Sequence, residues 1–344
     1  MNEIQIISDG YRELFGDSEI KITPLPRSGS DRRYFRIIDG EKSIIGAYNA
    51  NPEENEAFIG FTNHFRTKHL PVPEIYGNLP DKYIYFLQDL GDTNLYTWLH
   101  NKSYTTNFDE ETKILYREIL DNLILFQTKG IDGLNLNLCY PHKSFDRQSM
   151  MWDMNYFKYM FLKLITVPFN ERRLEHDFNS LADYLLEAGQ NYFLYRDFQT
   201  ANIMVVGEEL WFIDYQGGRK GAPQYDVASL LYDAKILMSD YDREKLLGYY
   251  IDNLCIVSKE NRDKFRGYYT GFSMIRLMQA LGAFGFRGLY EQKPTFIESI
   301  VPAVRLLQQV VEWGEKEIRL EELFNTIRAI SGTEKYNKLI VNNN

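Results

Sequence analysis

Tyr195-Arg196-Asp197-Phe198-Gln199-Thr200-Ala201-Asn202 sets an acid five residues before an amide, and Asp214 follows at the end of the next apolar run, LWFID. These three side chains suit phosphoryl transfer. That reaction needs little covalent help from a protein. It does need a carboxylate to orient the attacking hydroxyl and take its proton, and oxygen ligands for the magnesium that screens the phosphates. Asp197 is the expected base. Asn202 offers a neutral carbonyl oxygen and Asp214 a charged carboxylate, a pair that fits a hard cation keeping much of its water. The plain alternative is that Asp197 and Asn202 cap turns, as their types favour, while Asp214 merely ends a strand. Two features weigh for the catalytic reading: the apolar runs on each side that would fix the geometry, and QYDVASLLYD, which opens a helix directly after FIDYQGGRKGAP.

The elements that must hold these residues fall into two textures. The first hundred residues alternate short apolar runs with turn signals, EIKITPL, RYFRIID and KSIIGAY, and read as an antiparallel meander. After Pro52, Ala57, Phe58, Phe61 and Phe65 recur at helical intervals, before PVPEIYG breaks the pattern and YIYFLQDLGD resumes as a strand. From about residue 108 the chain turns to long amphipathic stretches, ETKILYREILDNLILFQ, SMMWDMNYFKYMFLKLI and RRLEHDFNSLADYLLEA among them. Inside this helical territory lies one strand island, residues 192–195, 203–206 and 210–214, and it carries the three side chains above. Helix returns from about Gln224 to Ile330.

Composition narrows the partners. A chain of 344 residues that is 44% hydrophobic can bury a sizeable core. Its net charge of −9, from 39 basic and 48 acidic residues, disfavours a nucleic-acid surface, which needs clustered Lys and Arg. No run of about 18 apolar residues and no apolar leader is present, so a cytoplasmic protein with no membrane association is expected. Cys139 and Cys255 follow no metal-ligand spacing and are expected to be ordinary thiols. The 25 Tyr and 22 Phe are expected chiefly in packing. The oligomeric state is not legible.

YRDFQTANIMV, FIDYQGG and QYDVASLLYD resemble the catalytic-loop, metal-loop and following-helix motifs of the aminoglycoside phosphotransferase and choline kinase superfamily. SGSDRRYFRI, LQDLGD, SMMWDMNYF and LMQALGAFGFRGLY resemble, more narrowly, the bacterial anomeric kinases of N-acetylmuramate and N-acetylglucosamine. The resemblance implies an α+β, protein-kinase-like bilobal fold. Residues 1–90 would form a β-rich nucleotide-binding lobe, and residues 91–344 a helical lobe with the catalytic and metal loops and the acceptor site. It also implies ATP and Mg2+ as cofactors and a small-molecule hydroxyl as acceptor, most closely an amino sugar. Choline or ethanolamine, homoserine and aminoglycosides are the alternatives within the class, and a pseudokinase or nucleotide-sensing module is the alternative outside it.

Further residues acquire expectations from this frame. Arg27 to Asp31, with Ser28, Gly29 and Ser30 at its centre, would be the nucleotide loop, its small residues letting amides approach phosphate. Gln88, Asp89 and Leu90, where the lobes should meet, would hold the adenine edge, as the resemblance implies. Asp153, Arg276 and Gln279 are candidates for the acceptor, with Trp152, Tyr156 and Arg287 nearby in sequence. Asp226 would brace the active-site loops. Two departures stand out. Tyr195 occupies a position where the kinase pattern has His. KSIIGAY also ends without the Lys that should pair the phosphates with a helix Glu. Arg33 and Arg36 are the expected substitutes, since guanidinium grips phosphate oxygens in bidentate fashion. Glu54 and Glu56 are either remnants of that pair or an acidic first turn that suits the helix dipole.

Overall fold

The computed structural model describes residues 2–26, 31–103 and 105–342. It opens with a helix, α1 (Glu3–Phe15), capped by the Asn2 side chain, which accepts from the Ile4 N–H. The strand-and-turn reading of the first hundred residues does not announce this element, although Ile4, Ile7 and Tyr11 recur at helical spacing. Then come β1 (Lys21–Pro24), β2 (Arg33–Asp39), β3 (Lys42–Tyr48), α2 (Pro52–Thr67), β4 (Ile75–Leu79) and β5 (Ile84–Gln88). The strands form one antiparallel sheet in the order β1-β2-β3-β5-β4.

Period-two alternation gives this sheet two apolar faces. Phe35, Ile37, Ile84 and Phe86 bury with Ile7 and Tyr11 of α1. Ile45, Ala47, Tyr85 and Leu87 belong to the other face and bury with Phe58, Phe61 and Phe65 of α2. The start of α2 is fixed locally: Asn51 caps it by accepting from the Glu54 N–H, and Pro52 fills the first turn, where no amide partner is needed.

Beyond β5 the chain is mainly helical: α3 (Leu95–Asn101), α4 (Glu110–Thr128), α5 (Arg147–Phe157) and α6 (Glu171–Leu186), then four short strands, β6 (Tyr192–Leu194), β7 (Ile203–Val206), β8 (Glu209–Phe212) and β9 (Arg219–Gly221). Helices α7 (Gln224–Leu231), α8 (Asp240–Val257), α9 (Arg262–Phe284), α10 (Pro294–Glu298), α11 (Ile300–Gly314), α12 (Glu321–Ala329) and α13 (Glu334–Asn342) complete it. No described helix is long and apolar enough to cross a membrane.

The strand island is two ribbons rather than one sheet. β7 pairs with β8, while β6 pairs with β9, a strand the sequence patterning does not reveal because RKG carries no apolar alternation. Glycine is required in β9, since a Cβ on Gly221 would lie 2.9 Å from that of Leu194. β8 stops at Phe212, two residues short of Asp214, so that acid sits on the loop beyond the strand rather than at its end.

Backbone hydrogen bonds anchor the β7–β8 ribbon to the N-terminal half on both sides. Phe212 N–H donates to Pro71 O at 2.9 Å and Val205 N–H to Thr93 O at 2.9 Å. Beneath it, the fully buried Phe65 ring meets Phe126 of α4, Phe193 of β6 and Tyr215 edge-on, with centroids 5.1–5.3 Å apart. Truncating such a ring loses transfer energy and leaves a cavity. Phe65→Ala should therefore cost roughly 3–5 kcal/mol of stability, read as a lowered urea midpoint with an unchanged slope.

Candidate active site

Asp226, in the first turn of α7, is wholly buried and accepts two successive backbone donors, Tyr195 N–H at 2.7 Å and Arg196 N–H at 2.9 Å. Burial pushes its carboxyl up to about 7, against the pull of those two hydrogen bonds. The grip holds the turn at Arg196, whose φ of +82° is left-handed, a conformation that costs on the order of 1–3 kcal/mol in a non-glycine residue unless its surroundings impose it. The Arg196 side chain is fixed as well. It forks onto Asp153 of α5, at 2.6 and 2.5 Å, donates to Tyr225 Oη at 2.8 Å, and lies 5.1 Å from both the Phe145 and Tyr225 rings.

Asp197 follows, and among the described residues its carboxylate carries no hydrogen bond. Its main-chain oxygen accepts from Asn202 Nδ2 at 2.9 Å, and the same Nδ2 donates to Asp214 Oδ2 at 3.2 Å. The structure thus brings Asp197, Asn202 and Asp214 together, with Asn202 Oδ1 left as a free acceptor among the described residues. Asp214 is also left-handed, at φ +68°. Its carboxyl is raised by burial and by the charge of Asp197, while Gln216 Nε2, 2.8 Å from Oδ1, and Arg32 pull it down. No group of three or more His, Cys, Asp or Glu that could hold a metal exists among the described residues. A cation here would rest on one amide oxygen, one carboxylate and the oxygens of its own ligand, which suits magnesium.

Two tyrosines hold the loops. Tyr195, at the position of the pattern's His, donates to Ile213 O at 2.7 Å and so ties the loop that carries Asp197 to the one that carries Asp214. Tyr215 stacks on Phe58 of α2, with centroids 5.1 Å apart and planes 3° from parallel, and hydrogen-bonds Thr62.

The other expected residues divide. Ser28, Gly29 and Ser30 lie outside the described residues. Arg33 pairs with Glu3 of α1 at 3.3 Å, on the sheet face turned away from α2, so it is not brought to the site. Arg36 is on the α2 face, but its guanidinium is taken up by Asp89, at 2.6 and 3.0 Å, and by Asp92, at 3.0 and 2.8 Å. Burial alone would raise the Asp89 carboxyl. Hydrogen bonds from Arg36, Ser43 and the Gly91 N–H outweigh it and hold the group below its ordinary range. Gln88 closes β5 and its side chain accepts from the Glu74 N–H, while Leu90 is buried. Asp153 is committed to Arg196. Arg276 donates to Ser229 Oγ and Gln279 Oε1, both at 2.8 Å, so these two acceptor candidates hold each other on α9.

Sequence reasoning missed Arg32, Gln216 and Arg219. Arg32 is 2% exposed and pairs with Glu54 at 3.0 Å. Its strand parity with Tyr34, which packs on the α2 face, is the signal that could have found it. Arg219 in β9 is buried, donates to the Gly217 and Tyr140 carbonyls, and has no carboxylate partner among the described residues. Burial and the neighbouring Arg196 push its guanidinium down to about 10.

A small antiparallel sheet set on a helical body, with two carboxylates and an amide at their meeting point, is the arrangement of the kinase-like phosphotransferase class. The profile of the phosphotransferase enzyme family, APH, matches residues 21–268, and the chain belongs to that family. It is 24% identical over 234 residues to the N-acetylmuramate/N-acetylglucosamine kinase of Neisseria meningitidis, covering 67% of this chain and 66% of that one, just under two thirds of the relative's length. Among solved structures, the ethanolamine kinase of Plasmodium vivax superposes with a TM-score of 0.63 at 13% identity, over 90% of this chain and 88% of that one. A thermostable mutant of an aminoglycoside phosphotransferase, solved with ADP and hygromycin B, gives 0.54 at 12% identity, over 88% and 98%. At these identities the structures show the shared fold.

An amide at position 226 would set its own N–H2 against one of the two buried donors. Asp226→Asn should thus destabilise the protein by roughly 1–3 kcal/mol, and hydrogen exchange at the Tyr195 and Arg196 amides should quicken.

Proposed function

We propose that this chain transfers the γ-phosphoryl group of ATP to a hydroxyl of a small molecule, with an amino sugar of the N-acetylmuramate or N-acetylglucosamine type as acceptor. The observation that carries the reading is the Asp197 carboxylate, without a hydrogen bond among the described residues, beside Asn202 and Asp214 on loops held by Asp226, Tyr195 and Arg196. The name of the Neisseria relative supports the acceptor class. In this reading residues 1–90 hold the nucleotide, with the chain at Gln88 to Leu90 along the adenine edge, and residues 91–344 hold the acceptor. The reaction runs in the cytoplasm, where ATP is supplied.

Asp197 accepts a hydrogen bond from the acceptor hydroxyl, aims its oxygen at the phosphorus and takes the proton as the new bond forms. Asn202 Oδ1 and the Asp214 carboxylate would hold Mg2+, which neutralises charge on the phosphate oxygens. Arg196 and Asp153 neutralise each other, so that neither competes for the acceptor, and their bidentate contact keeps Asp197 in place. Choline, ethanolamine, homoserine and aminoglycosides stay as acceptors to be compared.

ADP release with ATP and Mg2+ across N-acetylmuramate, N-acetylglucosamine, choline, homoserine and kanamycin separates these readings. One of the two sugars should give the highest kcat/KM. Asp197→Asn should lower kcat about 10²–10⁴-fold while ATP still binds. A strong Asp197-dependent turnover of another acceptor would replace the substrate and keep the reaction. Bound ATP with no turnover anywhere would make the chain a nucleotide-sensing module.

N-acetylmuramate carries a carboxylate that N-acetylglucosamine lacks, and Arg219 is a buried cation without a carboxylate partner among the described residues. Arg219→Gln should raise KM for N-acetylmuramate about 10-fold or more, the weight of one charge-assisted hydrogen bond, and leave KM for N-acetylglucosamine within about twofold. Equal changes for both sugars would remove this role.

A further inference from the structure

Arg32 leads into β2 with the same parity as Tyr34 and Arg36, so it lies on the α2 face of the sheet. At 2% exposure it is a buried cation. Its Nη1 donates to Tyr34 Oη at 3.3 Å, and its guanidinium carbon lies 5.7 Å from the Phe58 ring centroid. Nη2 is 3.0 Å from Glu54 Oε1, an ion-pair distance without hydrogen-bond alignment, and both Nη2 and Nε are buried with no hydrogen-bond partner among the described residues. Burying a guanidinium is expensive unless its donors are satisfied. Stability therefore gives no reason for this arrangement, whereas a ligand that fills the empty donors does.

The surroundings say what such a ligand is. Glu54 is held in the first turn of α2 by Asn49 Nδ2, at 2.8 Å. Gln216 Nε2 bridges from Glu54, at 3.4 Å, to Asp214, at 2.8 Å. A single relay therefore runs from Arg32 through Glu54 and Gln216 to the acid that would hold the metal. The residue facing Tyr34 across the β2–β3 pairing is Ala47, fully buried and on the same face. It stands near the end of KSIIGAY, the strand that lacks the expected lysine, and its methyl group leaves room there for a side chain from the neighbouring strand.

We propose that Arg32 is the cation that binds the nucleotide's polyphosphate, supplied from the lead-in to β2 in place of a lysine on β3 and held by Glu54. This rests on the phosphoryl-transfer reading above. Nε and Nη2 donate to phosphate oxygens, and Glu54 positions the guanidinium without touching the ligand. The fork grips two oxygens where an ammonium would grip one.

Titration of ATP-Mg2+ and of adenosine, by calorimetry, into the wild-type chain, Arg32→Met and Arg32→Met/Ala47→Lys tests this, with Arg33→Met as the control. Arg32→Met should weaken ATP about 10–100-fold, the range for charge-assisted hydrogen bonds, and leave adenosine within about twofold. Ala47→Lys should restore part of the loss, and Arg33→Met should change nothing. Equal weakening of ATP and adenosine, or unchanged ATP affinity, overturns the proposal. Should Arg32→Met fail to fold, the wild-type protein decides. Its Arg32 Nε–H resonance, assigned by its loss in Arg32→Lys, should shift with ATP and not with adenosine, and an unmoved resonance under saturating ATP overturns the assignment. A wild-type chain that binds no ATP overturns the phosphoryl-transfer reading and this proposal with it. ATP that binds equally well to Arg32→Met removes Arg32 alone.

Discussion

A single buried carboxylate, Asp226, is the constraint on which the active site rests. By accepting the amides of Tyr195 and Arg196 it fixes a left-handed turn that those residues would not hold in isolation. Everything downstream inherits that turn. The Arg196 guanidinium reaches Asp153, Asp197 emerges with its carboxylate unengaged among the described residues, and Asn202 closes back on the Asp197 carbonyl. Burial raises the Asp226 carboxyl to about 7, and the N–H donors on its two oxygens keep it from rising further.

A second constraint couples the lobes. Tyr215 stacks on Phe58 and hydrogen-bonds Thr62, both from α2. The loop that carries Asp214 is thereby held under the helix that carries Glu54. The backbone bond from Phe212 to Pro71 makes the same connection from one edge of the ribbon, while that from Val205 to Thr93 ties its other edge to the segment between β5 and α3. Arg36, bracketed by Asp89 and Asp92, braces the chain where it passes from β5 to α3. Contacts of this kind fix the loops by packing and hydrogen bonding around them, which leaves the Asp197 carboxylate and Asn202 Oδ1 without hydrogen bonds among the described residues.

Much of this was legible because it is periodic or local. The α2 helix, four of the five strands of the sheet and the long C-terminal helices each carry their spacing in the apolar residues, and the acid–amide–acid order of the site is written within one short stretch. Four things were hidden for identifiable reasons. β4 reads IYGNL and begins inside PVPEIYG, where Pro and Gly mark a break instead of a strand. α1 precedes a strand-like run, and its apolar residues Ile4, Ile6, Ile7, Tyr11, Leu14 and Phe15 are interrupted by SDG. β9 reads RKG, and its place is set by close approach to β6 rather than by side-chain alternation. The roles of the arginines depend on strand parity and on place along the strand: Arg32, Arg33 and Arg36 look alike in RRYFR, yet parity sends Arg33 to α1 and the other two to the α2 face, where Arg32 meets Glu54 and Arg36, four residues on, meets Asp89 and Asp92. Ser28, Gly29 and Ser30 lie outside the described residues, so their expected contact with phosphate stands on the sequence.

The arginine case shows what a sheet conserves when a charged residue changes address. A cation needed at the mouth of α2 must come from the sheet face that α2 covers, and only alternate residues of each strand reach it. Tyr34 and Ala47 are cross-strand partners on that face, so a side chain arriving two residues before Tyr34 and one arriving from position 47 can converge on the same carboxylate. A long, forked side chain at the first position requires a small one at the second, because a fully buried site has room for one of them. Arg32 and Ala47 satisfy that exchange together. The absent strand lysine therefore does not by itself imply lost catalysis, since the structure supplies positive charge opposite Glu54 by another route.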